Sequence, residues 1–153
     1  MNRVVEGFHQ DDEGDWVAEL SCLHGQHVRH RPPFWDRPWV TTAAGRAERV
    51  GTELDCPLCD RLELPDGLVL ARTAGPFDAD SLPAGLRGTH LVADHTWGLL
   101  RVLDGSVAFV IGTDPPRRVD VTAGSEQPIP PAVPHHLELD GPGRLEVDFL
   151  ARP

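Results

Sequence analysis

The chain has 153 residues, enough for one ordinary domain or two small ones, and contains no apolar run near the roughly 20 residues that span a bilayer. All 14 basic residues are arginine against 24 acids, a formal net charge of −10, which leaves no broad cationic surface for a phosphate backbone and argues against nucleic acid as a partner. The N-terminal "MNRVVEGFHQDDEGDW" turns acidic before any stretch could act as a signal h-region, so no membrane partner and a cytoplasmic location are expected.

"RVVEGFHQ" and "DWVAEL" flank the turn "DDEGD" and predict a hairpin, and "QHVRH" is a third strand after His24-Gly25. "HVRHRPPFWDRPWV" gathers Arg29, Arg31 and Arg37 with Phe34, Trp35 and Trp39 around a Pro-Pro bend. It reads either as an anion-binding or aromatic recognition surface, or as a minicore with arginines stacked on Trp35 and Trp39. One helix is predicted over "AAGRAERV", with Thr41 or Thr42 as N-cap and Gly51 as its end. This part has few large aliphatic residues, so a staple is expected on size grounds.

From about residue 62 the pattern changes to short β-rich runs cut by Gly, Pro and Asp. "WGLLRVLDG" and "SVAFVIG" predict a hairpin across Asp104-Gly105. "RRVDVTAG", "QPIPPAVP", "HHLELDGPG" and "RLEVDFLA" continue at the spacing of a small β-barrel. The expected fold is mainly β: a small stapled α+β domain over residues 1–61, then an all-β domain over residues 62–153.

Three cysteines, two of them in "DCPLCD", favour metal ligation over disulfides in a reducing compartment. A redox CxxC would open a helix in a βαβ setting, which this chain lacks. Tetrahedral zinc takes four Cys or His ligands, often as two short pairs. Cys56 and Cys59 form one pair. Cys22 takes its partner from His24, favoured because Gly25 follows in a tight turn, or from His27 or His30. Four protein ligands leave no room for substrate, so the zinc is expected to be structural. The alternative is three inert buried thiols with surface histidines.

"GFHQDDEGDWVAELSCLHGQHVRHRPPFWDRPWV" and "GRAERVGTELDCPLCDR" resemble a family of small uncharacterised bacterial proteins that share the Cys-x-His-x-x-His-x-x-His string and a terminal CPxC-type knuckle. Leu23 stands where the family pattern carries glycine. The resemblance implies no activity.

The second part is similar to cupins, which hold a divalent metal with histidines and often a carboxylate inside a double-stranded β-helix. His90 and His95 precede "WGLLRVLDG", and Pro130 and His135 stand five apart as in the second cupin motif, with Ala132 in place of its glycine. Thr73, Phe77, Pro83, His90, Trp97-Gly98, Leu103, Gly105, Pro134-His135 and Phe149 resemble the cupin-like domain of TehB-type tellurite-resistance proteins and of YeaR-like proteins. His95 sits where these relatives carry glycine, and Gly98 where the usual metal-binding Glu would stand.

His90, His95 and His135 are the candidate ligands of a second divalent metal (Fe, Zn, Mn or Ni), which would leave open coordination positions. Asp148 would add a carboxylate if it points inward, although alternation in "RLEVDFL" groups it with Glu146, away from Leu145, Val147 and Phe149. The other reading is a cup without metal. Arg101 and His136 are the candidate groups for a small anionic ligand.

The resemblance implies a stress-response accessory protein with a ligand-binding cup, because TehB-type chemistry belongs to a separate methyltransferase domain. The alternative is a metal-dependent cupin enzyme of the oxygenase or isomerase type. A homodimer is expected, since cupin-like domains often pair.

Overall fold

In a computed structural model describing residues 1–153, Asp11 nucleates the first turn: its Oδ1 accepts from the backbone N–H of Glu13 at 3.0 Å and of Asp15 at 2.9 Å. The turn folds β1 (Asn2–Gln10) onto β2 (Trp16–Leu20), with His9 opposite Val17. β3 (Gly25–His27) adds to β2 and β4 (Glu53–Asp55) to β1, giving an antiparallel sheet in the order β3-β2-β1-β4. α1 (Ala43–Arg49) starts at Thr42, whose hydroxyl accepts from Gly45 N–H at 3.0 Å, and Gly51 just beyond its end has φ +87°. α2 (Pro57–Asp60) is a single turn with proline at its first position.

Residues Met1–Arg61 form one compact unit. Its buried aliphatics are few: Val5, Val17, Ala18, Leu20, Val28 and Val40. Aromatic and arginine packing supplements them. Trp39 meets Phe8 edge-on at 5.8 Å, while Arg46 lies 3.6 Å over Trp16 and Arg49 lies 4.9 Å over Trp39. The minicore reading therefore holds for Trp39, with Trp16 rather than Trp35 as the second stacked ring. Phe34 and Trp35 are exposed on a loop closed by the Arg31–Trp35 bridge.

Leu62–Pro153 form a second compact unit, also mainly β. β5 (Val69–Phe77), the single-turn α3 (Ala84–Arg87), β6 (Trp97–Ile111), β7 (Arg117–Thr122), β8 (Glu126–Ile129), β9 (His135–Glu138) and β10 (Gly143–Ala151) follow in chain order. The hairpin expected across Asp104-Gly105 is corrected: residues 97–111 are one continuous strand. Gly105, at φ +69°, bends it without reversing it. The first half of β6 pairs with β10 and β8, the second half with β7 and β9, so one long strand serves two sets of neighbours. Trp97, Leu100, Phe109, Ile111, Leu137 and Leu145 are fully buried along these ladders. No helix in the chain is long and apolar enough to cross a membrane.

Leu23 (φ +71°), His95 (φ +63°) and Ala132 (φ +55°) occupy the left-handed region. These are the three positions at which the resemblances described above lead one to expect glycine, the residue that a left-handed backbone favours. Ala132 is exposed and loses little packing on truncation. Ala132→Gly is expected to stabilise the chain by up to about 1 kcal/mol, the left-handed penalty of an L-residue less the extra entropy of glycine. The urea unfolding midpoint of the variant checks this.

Candidate metal centre and ligand cavity

The turn between β2 and β3 is tied by Leu20 N–H to His24 O at 3.0 Å and Leu23 N–H to Leu20 O at 2.8 Å, which carries Cys22 and His24 to one side. After β4, Cys56 N–H donates to Met1 O at 2.7 Å, and α2 brings Cys59 back beside Cys56. The four ligand atoms lie within 4.8 Å of one another and all four residues are buried. His24 Nδ1 is 3.5 Å from Cys22 Sγ, 3.5 Å from Cys56 Sγ and 3.6 Å from Cys59 Sγ, and Cys22 Sγ is 3.9 Å from Cys56 Sγ.

A zinc tetrahedron with its usual bond lengths has edges of about 3.8 Å between sulfurs and about 3.6 Å between sulfur and nitrogen. The donor set fits that ion in both chemistry and spacing. Without a cation the same atoms must share protons. Burial lowers the His24 pKa, but the Cys22 and Cys56 sulfurs outweigh it and raise it to about 9. The Cys22 and Cys59 thiols hold the Cys56 thiol well below its usual range.

His27 and His30 are not part of this cluster. His27 Nε2 lies 2.8 Å from Asp11 Oδ2 on the exposed side of the hairpin, and His30 Nδ1 accepts from Arg37 N–H at 3.1 Å. Sequence reasoning missed Arg3. This buried β1 residue sits opposite Leu54; the Cys22 and Cys56 thiols and burial push the Cys59 thiol up, and the positive charge of Arg3 acts against that shift. Three thiolates and a neutral imidazole around a dication carry one excess negative charge, which Arg3 offsets. Arg3→Met is expected to weaken zinc binding about tenfold, the lower end for outer-shell partners. Competition with a chromophoric chelator measures it.

The second unit contains a cavity of about 230 Å³. Its walls include Leu86, Val92, Ile129, Leu137 and Val147, and its polar groups are Arg72, His90 and His135. His90 and His135 form a two-way backbone bridge, with N–H to O distances of 2.9 and 3.0 Å, and their rings stand 4.2 Å apart at 61°. His90 Nδ1 donates to Gly88 O and His135 Nδ1 to Val133 O, each at 3.0 Å. A carbonyl only accepts, so Nδ1 carries the proton in both rings. Burial pushes the His135 pKa down to about 4.

Several expected site residues lie elsewhere. His95 occupies an exposed turn and does not line the cavity, because the Ala93–Thr96 turn fixes its left-handed backbone there. Arg101 does not line it either. It pairs with Asp148 (Nε to Oδ2, 2.7 Å) and Glu146 (Nη2 to Oε2, 2.6 Å), across β6 and β10. Thr73 Oγ1 donates to Asp148 Oδ1 at 2.6 Å, so alternation on β10 places Glu146 and Asp148 on the face opposite Val147 and Phe149. His136, one residue from His135, is turned from the cavity toward Glu138. Gly98 stands opposite Phe149 and Ile129 in the ladders, and a Cβ there would meet Ile129 at 3.0 Å, so the usual carboxylate position is closed.

Arg72 is the cationic group at the cavity, and the sequence analysis did not single it out. Its guanidinium lies 3.9 Å over Phe149, its partner in the β5–β10 register, with no carboxylate of the chain paired to it. "VLARTAGPF" has no alternation from which its facing could be read, and only pairing with a strand more than 70 residues away fixes it.

Residues 6–63 match the family model DUF3565, described as a protein of unknown function, and residues 72–147 match the TehB-like domain. A crystal structure of an Escherichia coli (strain K12) structural-genomics protein aligns over 60% of this chain and 97% of its own, at 22% identity and a TM-score of 0.55. TehB from Haemophilus influenzae aligns over 57% of this chain at 22% identity and a TM-score of 0.52. That alignment covers 32% of TehB, so the chain spans about a third of it. No curated protein matches the chain. The two structural matches establish the TehB-like fold.

Proposed function

We propose that this chain is a bacterial accessory protein of a tellurite-resistance-like or related small-molecule response, in which a structural zinc staples residues 1–61 and a cupin-like cup over residues 62–153 binds a small anion. The observation that carries the binding reading is the cavity itself: apolar walls, an uncompensated Arg72, and two histidines held by the backbone. Zinc would be held by Cys22, His24, Cys56 and Cys59. With all four positions filled by protein, it would supply folding energy and no reaction chemistry. Binding is favoured over catalysis because His90 and His135 converge without a third ligating side chain, Gly98 and Asp148 being unavailable to them.

Thermal unfolding of full-length protein against a panel of small anions, both inorganic oxyanions including tellurite and organic carboxylates, tests the reading. At 100 times its dissociation constant, a ligand adds about 2.7 kcal/mol to native-state stability. At least one anion should raise the melting temperature of the wild type and fail to raise that of Arg72→Ala. If no anion shifts the wild type, the binding reading fails.

A further inference from the structure

We infer that the cavity takes a small organic hydroxy-monocarboxylate, its carboxylate paired with Arg72 and its hydroxyl donating to the Nε2 of His90 or His135. The inference rests on the cup reading and narrows it to one ligand class. Both Nδ1 atoms are spent on backbone carbonyls, so what either ring offers a ligand in its neutral form is the Nε2 lone pair. A lone pair selects a donor and disfavours a bare anion. A ligand that satisfies this pair and Arg72 together must therefore carry a hydrogen-bond donor and a negative charge on separate atoms.

The walls determine what joins them. Leu86, Val92, Ile129, Leu137 and Val147 would strip water from an inorganic oxyanion and return no hydrogen bonds, whereas an apolar carbon body gains from the same contact. Arg72 is also suited to a planar carboxylate. Its guanidinium lies on the Phe149 ring, which leaves its edge donors for two parallel bonds. A volume of about 230 Å³ is the share of roughly eight water molecules in the liquid, which limits the ligand to about ten non-hydrogen atoms.

Calorimetry on the full-length protein separates the possibilities. The probes are 4-hydroxybenzoate and 2-hydroxy-3-methylbutanoate, their deoxy counterparts benzoate and 3-methylbutanoate, and sodium tellurite. At least one hydroxy acid is expected to bind, with its deoxy counterpart at least tenfold weaker. Arg72→Ala should weaken the hydroxy acid at least tenfold. His90→Phe and His135→Gln, whose main-chain bridge needs neither ring, should between them remove the preference for the hydroxyl.

Equal binding of a hydroxy acid and its deoxy counterpart overturns the inference, as does binding of neither hydroxy acid. Tellurite binding that depends on Arg72 in the absence of binding by either acid also overturns it, but leaves the cup reading standing. That reading is decided separately by the anion panel.

Discussion

Replacing Cys56 and Cys59 together by serine is expected to abolish stable structure in residues 1–61. The unit has a small aliphatic core, and three of its fully or nearly fully buried side chains are the thiols themselves. Structural zinc in small domains supplies about 10–16 kcal/mol of apparent binding energy, more than a core of this size can replace. Serine removes two thiolate donors and leaves Cys22 and His24 buried without the ion that would join them. Hydrogen exchange of the β1–β4 amides measures the result. Protection should fall to that of an unfolded segment in the double variant, and chelation of the wild type should produce the same loss. Retained protection in the variant would mean that the cluster is not a staple.

Gly105→Val is the second large effect. At φ +69° an L-residue pays about 1–2 kcal/mol, and β-branching worsens this. The added Cβ would also overlap the Pro142 carbonyl oxygen and Gly143 Cα, which are backbone atoms of the β9–β10 connection and the start of β10 and cannot turn aside as a side chain can. Displacing them typically costs a further 1–3 kcal/mol, so the total should be about 2–5 kcal/mol. Gly124→Ala supplies the control. Its φ is +83° but nothing lies within 4 Å of a Cβ there, so it should cost only about 1 kcal/mol. Urea unfolding of both variants measures the difference, and equal costs would refute the close approach at Gly105.

Gly105 also shows where the sequence was legible and where it was not. A glycine with positive φ between two apolar runs is the local signature of a hairpin, and local chemistry alone cannot distinguish a reversal from a bend. The distinction comes from distant partners: β10 and β8 pair with one half of β6, β7 and β9 with the other. The Asp11 turn and the Thr42 cap were readable because the side chains that define them lie within a few residues of the backbone they fix.

The candidate sites divide in the same way. Cys22, His24, Cys56 and Cys59 stand in two short pairs whose spacing announces a shared purpose, and the fold joins them. The sequence points to Arg101 and passes over Arg72. Only strand register shows that Arg101 is matched by Glu146 and Asp148 on one face while Arg72 reaches the cavity on the other. His95 shows the converse. In the sequence it is a candidate metal ligand, yet it occupies a left-handed turn position outside the cavity lining.

The most direct test of this account is elemental analysis of purified full-length protein beside two variants, Cys56→Ser/Cys59→Ser and His90→Ala/His135→Ala. The account predicts one equivalent of zinc in the wild type, none in the cysteine variant, and one still in the histidine variant. Wild type without metal, or zinc that survives loss of both cysteines, would contradict the centre. A second metal equivalent that leaves with the histidines would contradict the reading of the cavity as a site for an organic anion alone.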